Sequence, residues 1–418
     1  MKLNRVVITG LGSLTPIGNN TSDYWNNLLL GVSGAYPIQH FDASQFKTTF
    51  ACEVKDFNIL NWLEQKEARK MDLFTHYAIA CVDEAIKDSK LDLSNIDLEK
   101  VGVIFGTGMG GHTSLFEESE KFITEGGIAP QFSPFLLTKV IGNIAAGHIA
   151  IRYGFKGLNY TTTSACASSA NAIADAFNYI RLGKANVIVT GGTEAPINKL
   201  SVACFNAMMA ISRRNDDPST ASRPFDKARD GFVLGEGAGS LILESLEHAK
   251  ARNATIYAEI IGAGMSADAY HITSPHPEGK GAELAMKNAI EDANIPLEAV
   301  DHINMHGTST PQGDIAEIKG IMSLFGQHAY QIKLTAVKSM IGHLLGAAGA
   351  VEMIATVLTI KHNIIPPTIN HFELDEVFDK NLQFVFNKVQ KHSVNVALSN
   401  SFGFGGQNTS LVLKKYED

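Results

Sequence analysis

The sequence predicts an α/β protein of two similar halves, and two observations carry that expectation. Short β-branched runs alternate with longer helical stretches along the chain, the pattern of strands separated by packed helices. A small-residue motif also occurs twice, each time opening a buried helix. Residues 6–9, 101–105, 187–190, 240–243, 257–261, 302–305, 394–398 and 411–413 read as strands, mostly buried on both faces. Residues 69–89, 165–182, 282–293 and 343–361 read as helices between them. The repeated motif is Ser164-Ala-Cys166-Ala-Ser-Ser-Ala-Asn-Ala-Ile173 and, later, Gly342-His343-Leu-Leu-Gly346-Ala-Ala-Gly349-Ala-Val351. Ser and Gly lower helix propensity, so their use here points to close central packing. We read this as a duplicated fold with halves 1–250 and 251–418; two unrelated buried helices would give the same local pattern.

Composition narrows the class. The 418 residues suffice for a sizeable core, and 45% hydrophobic with 19% charged residues is ordinary for a folded enzyme. The net charge of −8, with no long basic stretch, argues against a general nucleic-acid binder. No run of about 18 apolar residues reads as a membrane span. The sequence enters a strand directly after Met1-Lys-Leu-Asn-Arg, with no signal-like segment, so a cytoplasmic location is expected. Cys52, Cys81, Cys166 and Cys204 are too few and scattered for a disulfide framework and form no CxxC pair. A buried small hydrophobe is the ordinary reading for each cysteine, and Cys204 in Ser-Val-Ala-Cys-Phe looks like packing.

Cys166 departs from that reading. An extended Thr/Ser run breaks into a helix at Thr161-Thr-Thr-Ser-Ala-Cys166, which predicts a sulfur at a helix N-terminus where a thiolate is favoured. Small neighbours leave room for a substrate, and acyl transfer to such a sulfur is easily reversed. His306 comes at the end of a strand-like run, before Gly307-Thr308-Ser309-Thr310. His302 and His306 do not suit a metal pair, because their spacing faces one way only on a helix. His343 follows Lys338-Ser-Met-Ile-Gly342 at the second helix mouth, a place that disfavours imidazolium. Two neutral imidazoles converging on one thioester oxygen would stabilise an enolate.

Two glycine-rich stretches matter. Phe402-Gly403-Phe404-Gly405-Gly406-Gln407-Asn408 reads as a mobile loop whose ring swings and whose backbone N–H binds an oxyanion, or as a tight turn between core strands. Gly106-Thr-Gly108-Met-Gly-Gly111 matches a dinucleotide fingerprint but lacks the following βαβ context, so a dinucleotide site is rejected. Gly235-Glu-Gly-Ala-Gly239 is better explained as a turn entering a buried strand.

Together these motifs resemble the elongating β-ketoacyl-acyl carrier protein synthases of bacterial type II systems, members of the thiolase-fold condensing enzymes. The resemblance runs from Val6-Val-Ile-Thr-Gly10-Leu-Gly12, through Arg213-Arg-Asn-Asp-Asp-Pro218 and Ser222-Arg-Pro-Phe-Asp226, to the Phe402–Asn408 loop. It implies a five-layered αβαβα sandwich of two similar halves, usually a homodimer. The implied activity is decarboxylative condensation of an acyl group on Cys166 with malonyl-acyl carrier protein in fatty-acid elongation. His306 and His343 resemble the pair that promotes decarboxylation, and Lys338 the lysine that positions a histidine. Phe404 resembles the gate, its N–H joining that of Cys166 in an oxyanion hole. Met109 and Phe205 fall at the acyl pocket, and Phe402, Thr308 and Thr310 are expected to bind substrate. Glu352 and Asn400 match positions that in some members hold a structural Na+ or K+; no cofactor is expected for catalysis. The acyl carrier protein is acidic and this chain is also negative, so docking needs a local basic patch, matched by Lys66, Arg69 and Lys70 with Arg213.

Departures from the family pattern leave pathway and chain length open. Met209 stands where an arginine would aid docking, Val337 and Ile341 replace hydroxyl residues beside Lys338, and Gln407 replaces a threonine. The alternatives are a ketosynthase of a specialised polyketide or aryl polyene pathway, and a non-catalytic partner subunit of a ketosynthase heterodimer. Cys166 argues against the partner subunit. A biosynthetic thiolase would want a second cysteine in the 402–408 loop, which has none.

Overall fold

The computed structural model describes residues 3–127 and 132–417. Eleven strands form one continuous hydrogen-bonded sheet: β1 (Val6–Leu14), β2 (Val101–Gly106), β3 (Asn159–Thr162), β4 (Val187–Glu194), β5 (Gly237–Ser245), β6 (Ala258–Ala267), β7 (His302–Asn304), β8 (Lys333–Thr335), β9 (Gln383–Phe384), β10 (Val396–Gly403) and β11 (Gln407–Lys414). Their order is β9-β8-β7-β10-β11-β6-β1-β5-β4-β2-β3. The first five strands lie in the order β3-β2-β4-β5-β1, and the later ones repeat it as β8-β7-β10-β11-β6. Strand directions repeat too: two parallel pairings, then two antiparallel ones, in each half. The halves join where β1 pairs antiparallel with β6 through residues 6–8 and 258–260.

Besides the N-terminal helix Thr21–Leu30, the longer helices among the described residues are α1 (Leu73–Ser89), α2 (His112–Thr124), α3 (Ile144–Tyr153), α4 (Ser168–Arg181), α5 (Lys199–Ala207), α6 (Lys280–Ala293), α7 (Pro311–Phe325) and α8 (Ala348–His362). Helices α1 and α3 cover the outer face of the first half-sheet, and α6 with α7 cover the second. Between the half-sheets lie α4 and α8, each touching strands of both. That is the αβαβα sandwich. Its hydrophobic side chains form one cluster between the half-sheets, around Ile173, Phe177, Val351 and Ile354, and one beneath each outer layer.

Apolar residues surround α8, and every residue from Ala348 to Ile360 is buried, as an all-round apolar helix requires. Small residues bring it against α4: a Cβ on Gly349 would lie 2.9 Å from Ala170, and the Ala350 N–H donates to Ser169 Oγ at 2.9 Å.

Element boundaries shift from expectation for local reasons. The helix expected over 69–89 begins only at Leu73, because Asp72, after the short helical turn Gln65–Ala68, caps the Phe74 N–H (3.1 Å) and sets the helix start. The helix expected over 343–361 begins only at Ala348. The His343 N–H donates to Val233 O (2.7 Å) and its carbonyl accepts from the Gly235 N–H (3.0 Å), so its backbone is spent on a bridge to the 233–235 segment. Strands β8 and β9 were not expected from the sequence, and β3 only as the extended Thr/Ser run that precedes Cys166. Cys204, expected to be packed, is exposed: α5 buries Ser201, Val202 and Asn206, and Cys204 falls on the other face.

Candidate active site

Cys166 sits on a sharp turn between β3 and α4. Ala165 adopts φ +49°, a left-handed conformation that is unusual for a residue with a side chain. The helix itself starts at Ser168, two residues past the sulfur. This corrects the expectation of a resting thiolate: burial pushes the Cys166 thiol up to about 12, against the pull of Lys338 and of the Phe404 N–H, which donates to the sulfur. A thiol buried this deeply must lose its proton as it reacts.

His306 is delivered by β7 at the end of the second half-sheet. Its N–H and that of Gly307 donate to Glu317 on α7, at 2.9 and 2.8 Å. Lys338 is buried and donates from Nζ to His306 Nδ1 at 3.3 Å, while also pairing with the Glu352 carboxylate on α8. An ammonium facing Nδ1 leaves the ring proton on Nε2, so His306 is a donor through that atom. The His343 ring lies 5.3 Å from that of His306 at 85°. Both imidazoles are held well below the usual histidine range by burial first and by the Lys338 charge second, His343 adding to the effect on His306. His343 is therefore neutral as expected, but through burial and Lys338 rather than through a helix end.

The 402–406 loop closes the other side. A Cβ on Gly403 would lie 2.7 Å from Ser164 O and 3.2 Å from Cys166 N, so the loop meets the nucleophile turn backbone to backbone. Gly405 and Gly406 both have positive φ, and the Gly405 N–H donates to Ile272 O at 2.6 Å. Cys166, His306, His343 and Phe404 all face one cavity of about 700 Å³. Met109, Phe205, Phe402, Thr308 and Thr310 line it as well. Thr310 Oγ1 shares a 2.9 Å bond with Thr308 Oγ1 and caps α7 through the Gly313 N–H, so one of its bonds is already structural.

A cysteine and two neutral histidines around one apolar cavity, with a buried lysine against His306, define the site's chemistry, and comparison with known proteins gives it a family. Residues 3–249 match the model of the β-ketoacyl synthase N-terminal domain and residues 257–372 that of its C-terminal domain. The chain belongs to the β-ketoacyl synthase family. It is 48% identical over 417 residues to 3-oxoacyl-[acyl-carrier-protein] synthase 2 of Synechocystis sp., covering 100% of this chain and 99% of that one. It is 47% identical over 418 residues to the protein of the same name from Coxiella burnetii, with both chains covered completely. A solved structure of the ishigamide ketosynthase/chain length factor superposes with a TM-score of 0.93 at 34% identity, covering 99% of this chain and 100% of that one. A polyketide synthase acyl carrier protein in complex with its ketosynthase does so at 0.91 and 33%, with the same coverage.

Within this ketosynthase fold the remaining predicted residues divide. Lys66 and Arg69 are exposed on and just after the Gln65–Ala68 turn, and Lys70 pairs with Glu67 at 2.7 Å. None of the three lines the cavity, nor does Arg213, which is exposed after α5. Met209 is 76% exposed and lines the cavity mouth, so the departure from arginine leaves an apolar rim there.

The cation positions are unequal. Glu352 Oε2 and Asn304 Oδ1 are buried oxygens with no hydrogen-bond partner, and Asn304 Nδ2 donates to Glu352 O at 3.0 Å. Orphaned buried acceptors of this kind suit a hard cation. The Asn400 side chain is engaged elsewhere: its oxygen accepts from Ser410 (2.8 Å) and its nitrogen donates to Glu317 (3.1 Å).

Sequence reasoning missed Glu317, Asn304, Phe232 and Glu194. Glu317 and Asn304 have a legible signal, since a polar residue between apolar ones near His306 must be satisfied if buried. Phe232 stacks edge-on against both Phe205 (5.4 Å) and His343 (5.3 Å), and no local pattern announces it.

Proposed function

We infer that the protein condenses an acyl group with a malonyl unit, releasing CO2 and lengthening the chain by two carbons in fatty-acid elongation. The observation that carries this is the pair of neutral imidazoles beside Cys166 in one apolar cavity. In the first step Cys166 Sγ attacks the acyl thioester, its proton leaves with the departing thiol, and a neutral thioester remains in the buried pocket. The Phe404 N–H, which faces the sulfur in the free enzyme, is the proposed donor to the acyl oxygen once it forms. In the second step the malonyl thioester carbonyl accepts hydrogen bonds from His306 Nε2–H and from His343. The C–C bond to the carboxylate then breaks, and its electron pair enters an enolate stabilised by the two donors. The enolate carbon attacks the acyl carbonyl, the C–S bond to Cys166 breaks with its electron pair going to sulfur, which takes up one proton from solvent to restore the thiol, and the 3-oxoacyl thioester departs. Neutral histidines suit this role, because a neutral ring keeps one N–H to donate and is too weak an acid to protonate the enolate carbon before it attacks.

The partner that brings both acyl groups is an acyl carrier protein. Lys66, Arg69 and Lys70, with Arg213, are its proposed contacts, supported by the exposure of Lys66, Arg69 and Arg213 and by the ketosynthase–carrier complex among the structural neighbours. We also propose a homodimer. Leu115, Ile123, Leu137, Ile141 and Ile151 are large apolar side chains exposed on or beside α2 and α3, more than a free surface of this extent normally shows. A structural Na+ or K+ held by Glu352 and Asn304 would give their orphaned oxygens a partner. The cytoplasmic location belongs to the proposal too; among the described residues no helix is long and apolar enough to cross a membrane.

Intact-mass spectrometry tests the core of this reading. Wild type given acyl-carrier thioesters is expected to gain one acyl mass, lost again on adding malonyl-carrier with release of a product two carbons longer. Cys166→Ala is expected to gain none. Folded wild type that takes up no acyl group from any donor would overturn the assignment.

A further inference from the structure

The loop that resembles a phosphate-binding fingerprint holds a carboxylate instead. Glu194 ends β4 and is completely buried. Its Oε2 accepts from the Gly108 N–H (2.7 Å) and the Gly346 N–H (2.9 Å), and its Oε1 from the Met109 N–H (3.0 Å) and Thr107 Oγ1 (3.0 Å). The Thr107 hydroxyl oxygen in turn accepts from the Gly110 N–H at 3.1 Å, which commits its hydrogen to Glu194. Every partner is a donor, so the geometry is that of an ionised carboxylate.

The glycines allow it: a Cβ on Gly346 would lie 2.3 Å from Gly108 N and 2.5 Å from Glu194 Oε2. The four donors come from two places, the loop after β2 and the turn before α8. Each supplies a wall of the cavity, Met109 from the first and Leu345 from the second, and both pack in the cluster that contains Cys166.

We propose that Glu194 is a positioning residue that sets the depth of the acyl end of the cavity, its carboxylate tying Met109 and the Gly346 turn into one wall. This rests on the reading of Cys166 as acyl acceptor. The ligand class it selects is the aliphatic acyl chain, by length. Exchanging one oxygen for an amide places an N–H against backbone N–H groups, so the two wall segments part and the pocket end loses definition. The same exchange removes a buried negative charge near the sulfur. Glu194 is one of the groups that hold the Cys166 thiol up.

The test uses full-length Glu194→Gln and wild type, with two readouts. The first is the rate of Cys166 acylation by a short and a long saturated acyl-carrier thioester. The long-to-short ratio is expected to change by about fivefold in the variant, the equivalent of one backbone-to-carboxylate hydrogen bond. The second is the pH profile of Cys166 alkylation by iodoacetamide, expected to move to lower pH. A general packing defect would shift neither in this way. Thr107→Val, which removes one donor and keeps the carboxylate, is expected to change the ratio in the same direction by less, and it serves if Glu194→Gln does not fold. An unchanged ratio and an unchanged profile in a folded variant would overturn the proposal. Wild type that acylates with neither donor would instead overturn the assignment of Cys166.

Discussion

At the scale of single residues, Lys338 has the most to lose. It is buried, donates to His306 Nδ1 and is paired with Glu352, so one ammonium fixes a tautomer and compensates a carboxylate. Lys338→Met leaves that carboxylate unpaired, and we expect a loss of about 3 kcal/mol in urea denaturation. Malonyl decarboxylation is expected to fall with it, because His306 is no longer held as an Nε2–H donor. The pH response follows from burial. Cys52, Cys81, Cys166, Tyr24 and Tyr77 are all raised above their ordinary values, chiefly by burial. Above about pH 8.5 the unfolded chain releases protons that the folded chain keeps, so stability must fall as pH rises. Urea midpoints measured from pH 7 to pH 10 are expected to decline steadily, and Cys166 alkylation to accelerate across that range without a plateau. The residues of this scale were largely legible in the sequence. Cys166, His306, His343 and Lys338 each stand in a short distinctive motif, but the reason His343 is neutral was not, because burial and a lysine's charge act through space.

At the scale of elements, the chemistry depends on backbones that approach more closely than side chains allow. In β1, a Cβ on Gly12 would lie 1.9 Å from Cys81 O on α1. Gly12→Ala is expected to destabilise the protein by about 2 kcal/mol or more in thermal denaturation, since two regular elements cannot part locally. The alternation of strands and helices could be read from periodicity. The boundaries could not: Asp72 delays the first expected helix by capping it at Leu73, and His343 leaves the helix pattern because its backbone pairs with Val233 and Gly235. The Gly106–Gly111 loop shows how the same glycines serve different partners. The missing βαβ unit excluded a dinucleotide, but only the fold shows that the donors meet the carboxylate of Glu194, 83 residues past Gly111.

At the scale of the whole molecule, α4 and α8 bind the half-sheets to each other, so the halves should unfold together in one transition. The exposed apolar residues on and beside α2 and α3 predict association. Sedimentation is expected to give a dimer for wild type, and a monomer for a Leu137→Asp, Ile151→Asp double variant; a monomeric wild type would remove the homodimer from the proposal. Charge does not drive the encounter with the carrier over long range, because the chain is itself negative. What the sequence by itself determined was the alternation that makes an α/β protein, the repeated small-residue motif and the side chains proposed to react. Those are properties of neighbours along the chain. The tertiary structure alone decided the rest: the thiol's proton, the His306 tautomer, the partner of the glycine loop and the depth of the cavity. Each depends on groups separated by tens to hundreds of residues, and burial, charge and hydrogen bonding act on distance in space.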